Sequence, residues 1–447
     1  IKDLVVSWDP IEGIQAIASV EGIHLILPEQ YSPPWAHYND GEISRMRGKA
    51  TLDVTSGQII FDGSSVAMRN IQGSLSPPDH ENEAPVPFIG DIEISELPST
   101  IDLESGEWMK DLVANAPFRA RFIVETVEPP KEESGAVELP LVAARVLKIF
   151  QLEEWNVIAE VEVKRASFGG SVDVSGELKI DGNAGMYAGF PYPLRGVQSL
   201  ITFRQDDIKP ANDRDLSSGE ATVYMSFKGV GGGTGELAGS VLFFGDGVVI
   251  PDIELTVTNE KITPALAEAI SLVSGDAYDT VLGVLSGMGL EAELTLTGTI
   301  LGDDQGNTKT LFTARIADGV ATPNAKLSTA IHTSGPFWSE GFQFTDVDGT
   351  ITIENGAVTM NDATFTCETG SLVATLLVKD GEFELELDCL SLPISPRFID
   401  VLPNNVSDKL TAAWGWLDPG GLMDANILIG RKNGVSSLHM EMIPKLL

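Results

Sequence analysis

Residues 341–392 read GFQFTDVDGTITIENGAVTMNDATFTCETGSLVATLLVKDGEFELELDCLSL, and this stretch determines the predicted fold class. Turn signals recur along it, at Asp348-Gly349, Asn355-Gly356, Glu368-Thr369-Gly370 and Asp380-Gly381. Asn-Gly and Asp-Gly supply the positive φ angles that tight hairpin turns need. The spacing therefore predicts a meander of consecutive antiparallel strands.

The last predicted strand of this stretch alternates between two kinds of side chain. The apolar set is Phe383, Leu385, Leu387 and Cys389, and the acidic set is Glu382, Glu384, Glu386 and Asp388. Successive side chains of a strand point to opposite faces, so the alternation predicts a sheet with one apolar face and one solvated, anionic face. What covers the apolar face is the question on which the function depends.

The charge of the chain restricts its partners. The 447 residues include 29 basic and 65 acidic side chains, which gives a net charge of −36. Phosphate groups need basic side chains to neutralise them, so we expect no nucleic-acid partner. Apolar residues make up 43% of the chain but aromatic residues only 7%, which argues against one large globular core.

A weak internal repeat divides the chain. A short amphipathic helix is predicted before a strand in four places, at 112–125, 148–164, 285–300 and 412–430. Repeats that cannot cover their own apolar faces imply an elongated stack rather than separate globules. We therefore expect four segments: 1–138, a β repeat with an acidic, proline-rich insert at 79–138; 139–262, a second β repeat; 263–392, a helix followed by a β-meander; and 393–447, the start of a further repeat.

Helical patterns are predicted at 103–116, 139–152 and 263–290, with two short pieces within 393–416. The insert is expected to form exposed loops because it is rich in proline and acidic residues. The longest helical pattern is interrupted by Asp276 and Asp279, and no segment resembles a signal peptide or a membrane span.

No catalytic or metal-binding pattern stands out. The five histidines are scattered, outside any HExxH arrangement, and no GxSxG sequence offers a nucleophile. The glycine-rich GVGGGTGELAG at 229–239 lacks the Gly-Lys-Ser/Thr ending of a phosphate loop and precedes a strand-like segment, so we expect a turn there. We therefore expect neither an enzyme nor a bound cofactor or metal ion.

The two cysteines, Cys367 and Cys389, are predicted to lie on strands separated by one intervening strand. About 10 Å separates two such strands, which is too far for a disulfide, so two buried thiols are expected. The redox compartment is left open by this pattern.

Three segments carry a family resemblance. YAGFPYPLRGVQSLITF at 187–203 resembles a segment of the AsmA-like and TamB-like proteins of diderm bacteria, and the meander at 342–378 is similar to their recurring strand pattern. DVLPNNVSDKLTAAWGWLDPGGLMDANILI at 400–429 is similar to the junction between their repeats. The resemblance implies a mostly-β, elongated, repeat-built antiparallel sheet curved into a groove (a β-taco) with an apolar floor. It also implies short helices at the repeat junctions and transfer of phospholipids between the inner and outer membranes.

The floor of that groove is expected to consist of apolar side chains from several strands: Val161, Val163, Leu294, Leu296, Val358, Met360, Phe383, Leu385 and Leu387. We expect the acyl chains of phospholipids or other lipids to cover them. Each CH₂ removed from water is worth about 0.8 kcal/mol, so a tail of about 16 carbons gains on the order of 10 kcal/mol. The alternative left open is that a second sheet or the helices cover this face, giving the stacked β-sandwiches of a structural or adhesive envelope protein without ligand.

The expected setting follows from the resemblance. The protein is expected in the periplasm or cell envelope, anchored to a membrane through a segment outside this sequence, with inner- and outer-membrane proteins as partners at its two ends. Some 25 strands stacked about 4.8 Å apart extend to roughly 120 Å, a useful length for crossing an aqueous gap.

Overall fold

The fold is given by a computed structural model. It describes residues 2–9, 13–27, 35–39, 42–45, 50–76, 86–97, 115–127, 137–187, 190–208, 218–244, 249–273, 278–303, 307–324, 343–354, 357–367, 370–379, 382–393, 421–432 and 435–445. Strands account for most of these residues, with three short helices between them. The chain is therefore mostly β, as the sequence predicts.

The first twelve strands, in chain order, are β1 (Lys2–Asp9), β2 (Gly13–Val20), β3 (Ile23–Leu27), β4 (Trp35–Asn39), β5 (Glu42–Arg45), β6 (Ala50–Asp62), β7 (Ser65–Ser76), β8 (Val86–Ile94), β9 (Phe118–Val127), β10 (Val137–Pro140), β11 (Asn156–Arg165) and β12 (Val172–Tyr187). Helix α1 (Leu141–Phe150) lies between β10 and β11. It matches the pattern predicted at 139–152.

The second twelve strands are β13 (Phe190–Ile208), β14 (Ser218–Gly229), β15 (Thr234–Phe244), β16 (Val249–Lys261), β17 (Leu290–Gly302), β18 (Thr308–Ala321), β19 (Phe344–Glu354), β20 (Ala357–Cys367), β21 (Gly370–Lys379), β22 (Glu382–Pro393), β23 (Leu422–Lys432) and β24 (Val435–Lys445). Helices α2 (Pro264–Val273) and α3 (Tyr278–Met288) connect β16 to β17. The single long helical pattern predicted at 263–290 is therefore two helices.

One sheet of 21 strands organises the described part of the chain. From β6 onward its strands pair antiparallel in chain order, with β9 beside β11. At its start, β2 and β3 share one edge of β6, and β1 pairs with β2. Within the described residues β1 and β24 each pair on one side only, so the sheet is open. The remaining strands, β10, β4 and β5, form a separate small sheet.

The main sheet has one buried face, which we call the inner face. Its buried side chains include Leu178, Ile201, Met225, Phe312 and Ile429. One apolar row crosses β16 to β23 in direct register: Val257, Leu296, Ala314, Ile351, Met360, Leu376, Leu385 and Ile429. Side chains that face each other on adjacent strands pack together, so the row is continuous. The prediction of one apolar face is confirmed.

Five glycines of the sheet lie directly opposite a phenylalanine on the neighbouring strand. The pairs are Gly73–Phe88, Gly90–Phe122, Gly176–Phe203, Gly235–Phe227 and Gly298–Phe312. A Cβ on any of these glycines would lie within 3 Å of the phenylalanine ring. The ring thus covers the space over the glycine, an arrangement that supports strand pairing where a side chain is missing.

β-Bulges keep both halves of the long strands facing inward. Seven strands shift register at a residue with φ between 49° and 56°: Asn70, Gly196, Asn259, Asp318, Asp346, Asp362 and Ser391. Asn, Asp and Gly adopt this left-handed conformation most readily. Buried residues on the two sides of a bulge are three positions apart, as for Phe344 and Val347. A bulge bends its strand and increases the local twist, so this series curves the sheet into a groove.

In three of the bulges, a backbone amide donates a hydrogen bond to an aspartate of the next strand. The bulge amides of Asn70, Asp318 and Ser391 donate to an aspartate carboxylate at 2.9, 3.3 and 2.8 Å, respectively. The acceptors are Asp91, Asp348 and Asp424. Hydrogen bonds from Lys445 and from the Ser391 amide hold the pKa of Asp424 below its usual value. A carboxylate of the neighbouring strand therefore satisfies an amide that the bulge removes from the ladder.

Bulges also explain one wrong prediction within residues 341–392. Strand β19 continues through Asp348-Gly349, where the sequence predicts a turn, because Asp348 accepts the bulge amide of β18. The other three predicted turns fall between β19 and β20, β20 and β21, and β21 and β22, and these are confirmed as strand connections. Turn signals mark positive φ, and a bulge needs the same residues as a turn does.

Predictions outside the meander have mixed outcomes. The insert at 79–138 is not all loop, because β8 and β9 lie within it and belong to the main sheet. A helix precedes a strand at α1–β11 and at α3–β17, as the repeat predicts. The other two repeat junctions fall partly outside the described residues. The helix predicted at 103–116 and the pieces within 393–416 fall almost wholly outside them.

The Gly–Phe pairing predicts the effect of a single methyl group. In Gly298→Ala the new Cβ would lie 2.5 Å from Cδ1 of Phe312, so ring or strand must move. Such overpacking is expected to lower the free energy of unfolding by about 1–3 kcal/mol. Urea unfolding followed by circular dichroism measures the change. In the control Gly57→Ala the nearest atom is 3.5 Å away, and a change below about 0.5 kcal/mol is expected. Equal stabilities for the two variants would contradict the pairing.

Candidate functional site

The predicted floor residues divide between two apolar clusters. The main cluster of the inner face includes Leu294, Leu296, Val358, Met360, Leu385 and Leu387. Val161 and Val163 instead form a separate cluster with Val172 near the end of β11. Phe383 pairs in register with Val378, but its side chain falls outside the described part. Eight of the nine therefore face inward, but they do not form one continuous lining.

Protein atoms already cover most of the inner face. Leu385 is 8% exposed, Leu387 is 4% exposed and Val358 is 3% exposed. The sequence predicts that a guest molecule covers this lining, and in the structure these side chains are already buried. Any ligand of this face must therefore displace what covers it.

One cover is the end of the β12–β13 hairpin, which we call the lid and define as residues 184–187 and 190–193. Strand β14 pairs with β13 only from Leu194 onward, so the lid projects beyond the β14–β15 hairpin. The ring centroid of Phe190 lies 5.5 Å from that of Phe312 on β18. Five strand spacings, about 24 Å along the sheet, separate β13 from β18. The two rings can meet only across the concave side, so the sheet is curved and the lid lies over its inner face.

Helices support the lid from two sides. The rings of Phe150, at the end of α1, and Tyr187 lie 5.4 Å apart, and the Glu153 amide donates to the Ala184 carbonyl at 2.8 Å. Helix α2 packs on β13. The end of α3 is held by Asn324, which follows β18 and whose amide donates to the Gly287 carbonyl at 2.7 Å. The α2–α3 pair thus spans from β13 to the end of β18.

A buried carboxylate lies beneath the lid. Glu260 on β16 is 1% exposed and faces inward beside Leu294 because of the bulge at Asn259. The Gly231 and Gly233 amides donate to its two oxygens at 2.6 and 2.9 Å. The Tyr192 hydroxyl of the lid donates to the same carboxylate. A buried charge is tolerated when several donors satisfy it, and this cluster supplies three.

The turn at 229–233 needs glycines because the Glu260 carboxylate occupies the space that their side chains would fill. A Cβ at Gly229 or Gly231 would lie 2.1 Å from a Glu260 oxygen, and one at Gly233 would lie 2.6 Å away. The sequence correctly predicts a turn here rather than a phosphate loop, because β15 follows it. What it misses is that the turn binds an anion supplied by the protein itself. The sequence signal for this site is a spacing. Val257 and Glu260 both face inward although they are three positions apart, and Asn259 between them adopts the left-handed conformation of a bulge.

The cluster extends to the start of α2. The Thr263 hydroxyl contacts the Tyr192 hydroxyl and also accepts from the Leu266 amide at 3.2 Å, as a helix N-cap does. Burial, together with the hydrogen bond to Glu260, raises the pKa of Tyr192 to about 12. The phenol therefore stays protonated and keeps donating at neutral pH. One polar cluster joins the lid, the glycine turn, β16 and α2.

The two cysteines lie where the sequence predicts. Cys367 on β20 and Cys389 on β22 flank β21, and both are buried thiols. Burial, with the neighbouring Cys367 and Asp388, raises the pKa of Cys389 to about 12. A thiol that remains protonated is a poor nucleophile.

The opposite, outer face is polar over the predicted acidic strand. Glu384, Glu386 and Asp388 are exposed on β22, as the alternation predicts. The Asn426 amide group on β23 donates to Glu386 at 3.2 Å and to Asp388 at 2.6 Å. Across the described residues no group of three or more His, Cys, Asp and Glu side chains is placed to hold a metal ion. The exposed carboxylates make the outer face over β22 a solvated surface.

Comparisons with protein-family models, with curated proteins and with solved structures found no match to this chain. The resemblance to AsmA-like and TamB-like proteins therefore stays a prediction from the sequence. In the part of the chain that the structure describes, no helix has both the length and the apolarity that a bilayer crossing requires.

Removing the Tyr192 hydroxyl tests the buried cluster. Tyr192→Phe leaves Glu260 without one of its donors, and we expect the free energy of unfolding to fall by about 1–3 kcal/mol. Tyr224→Phe is the matched control, because its exposed hydroxyl donates to Glu236 at 3.2 Å on the outer face. The control should change stability by less than about 0.5 kcal/mol. Equal losses in the two variants would contradict a special role for the buried pair.

The pH dependence of this difference has a defined sign. The pKa of Tyr192 is raised from 10.0 to about 12, so the contribution of the protonated phenol is fully present below pH 10. It is lost as the pH rises through about 12. The stability difference between the native protein and Tyr192→Phe should therefore shrink between these pH values. Urea midpoints measured across this range provide the test, and a constant difference would contradict the assignment.

Proposed function

We propose that this protein binds the acyl chains of phospholipids or similar lipids along its inner face, and transfers them between membranes of a cell envelope. The observation that carries the proposal is the apolar row across β16 to β23, in direct register on a curved, open sheet. Lipid transfer between inner and outer membranes also follows from the family resemblance. Envelope proteins at the two ends of the sheet are the proposed partners.

The length of the row suits this guest. Eight strands span about 34 Å along the sheet, comparable with the roughly 30 Å hydrocarbon core of a bilayer. The contacts offered along the row are non-directional, so a chain can slide without breaking specific hydrogen bonds. The outer face, with its exposed carboxylates on β22, remains in water.

Lipid binding requires the covered face to open. The contact between Phe190 and Phe312 in this cover is apolar, and an acyl chain offers an equivalent contact in its place. The face stays out of water in both states, so the cost of the exchange is the exposure of the displaced cover, such as the ring of Phe190, and burial of the acyl chain offsets it. The buried state of the floor thus describes the protein before a guest enters.

The same burial favours a second candidate function. A structural envelope protein of stacked β repeats needs its apolar face sealed, and side chains such as Leu385, at 8% exposed, meet that need without any ligand. The two candidates differ in whether lipid ever reaches the inner face.

Photo-crosslinking distinguishes the candidates. A benzophenone side chain placed at Met360 lies on the inner row, and one placed at Leu377, which is 46% exposed on the neighbouring β21, lies on the outer face. After incubation with vesicles of phosphatidylethanolamine that contain a radiolabelled fraction, irradiation should label the Met360 variant at least about tenfold more than the Leu377 variant, because only the inner position meets buried acyl chains.

Circular dichroism and urea midpoints confirm that both crosslinking variants are folded. Equal labelling of the two positions would indicate surface adsorption and contradict the proposed function. No labelling at either position would favour the structural protein.

A further inference from the structure

We propose that the β12–β13 lid occupies the acyl-chain site in the ligand-free protein, and that Glu260 is the latch that holds it there. This inference deepens the proposed function, on which it rests, by assigning the place at which a lipid enters. The guest it implies is an acyl chain that lies over β14 to β18, where Phe190 now lies.

Phe190 already makes the contact that a guest chain would make. Its ring lies against Phe312, which is 1% exposed and belongs to the inner face. Phe312 in turn covers Gly298 on β17 and pairs with Ile353 on β19. An apolar side chain brought in from β13, five strands away, thus fills the concave side of the sheet. A methylene chain has the same contact requirement and can replace it.

The two margins of the lid are attached differently. On the β12 side, the backbone of Glu153 pairs with Ala184, and a Cβ at Gly185 would lie 2.5 Å from Leu152, so this margin is closely packed. On the β13 side, the Tyr192 hydroxyl reaches the Glu260 carboxylate on β16. The β12 side of the lid is suited to act as a hinge because it is closely packed. The β13 side is suited to act as a latch because its hydrogen bond to a single carboxylate can break without disturbing other contacts.

The latch is built around the carboxylate rather than around the lid. The Gly231 and Gly233 amides donate to Glu260 at 2.6 and 2.9 Å, and both belong to the glycine turn rather than to the lid. Glu260 therefore stays satisfied by two backbone donors when the lid lifts, and it is not left as an uncompensated buried charge. The Thr263 hydroxyl, which contacts Tyr192 and caps α2, connects lid opening to that helix.

Among the described residues, the charged side chains next to the latch in sequence or in register are exposed. Lys261 follows Glu260 and is exposed, and Glu293, which pairs in register with Lys261, is exposed on β17. Lys228 on β14, next to the glycine turn, is also exposed. These side chains point to the solvated face, so the partners of Glu260 are the hydroxyl and amide donors.

Glu260→Gln tests the latch. A glutamine has one oxygen, so in either orientation its NH₂ group would face a backbone N–H, that of Gly231 or that of Gly233, and two donors would oppose each other. Tyr192→Phe is the second variant, because it removes only the hydroxyl. Glu236→Gln is the matched control, since Glu236 accepts a tyrosine hydroxyl at 3.2 Å on the outer face.

Two readouts are measured on each variant of the full chain. Hydrogen exchange is followed by mass spectrometry in peptides covering the lid and α2, with a β22 peptide as internal reference. Lipid uptake is followed as the initial rate of fluorescence change with phosphatidylethanolamine vesicles that contain a trace of NBD-labelled phosphatidylethanolamine. The latch variants should exchange about tenfold faster in the lid and take up lipid faster, since loss of a hydrogen bond to a charged group shifts such an equilibrium by at least that factor.

The outcomes separate the latch from the proposed function. Unchanged exchange in both latch variants would overturn the latch. Faster exchange with the same uptake rate as the native protein would overturn the lid as the entry point. Faster exchange with no uptake by any protein, native included, would overturn the proposed function and leave the lid without its guest. A response of Glu236→Gln equal to that of Glu260→Gln would also overturn the assignment.

Discussion

The main constraint on this molecule is that a very wide antiparallel sheet must keep one apolar face out of water. A flat sheet of 21 strands would expose that face along its whole width. Curvature reduces the area that needs a separate cover, and the bulges at residues such as Asn259 and Asp346 supply it. The Gly–Phe pairs serve the same end, because each ring spreads over a neighbouring strand where a smaller side chain would leave a gap.

Between β13 and β18 the inner face is covered by segments that leave the sheet and return to it. The lid projects from β12 and β13, and helices α2 and α3 connect two strands that are themselves adjacent. Both covers meet at Glu260, the one carboxylate that is buried among the residues that the structure describes. Glu260 is an expensive residue to bury in an apolar surface, and its burial is offset by Tyr192 and the glycine turn. A charged residue at that position makes the attachment of the lid specific and separable from the apolar packing around it.

The sequence predicts the strands well because alternation is a local property. The row through Leu385 and Met360 follows from period two and from register, both of which short turns determine. Bulges are harder to predict, since Asp346 and Asp348 carry the same residue preference as a turn. Glu260 is harder to predict as the centre of a cluster, because its donors come from the lid and the glycine turn, which are both distant from it in the sequence. The lid was missed for the same reason: contact between Phe190 and Phe312 depends on curvature that no local pattern states.

We propose that the inner face holds acyl chains and is closed only until one arrives. Mass spectrometry of an organic extract shows whether lipid is bound, on protein purified from cells without detergent or denaturant. We expect at least about one phospholipid per chain, because a bound tail gains on the order of 10 kcal/mol when it leaves water. An extract that contains no lipid beyond the amount carried by an unrelated acidic β protein purified in the same way would contradict it.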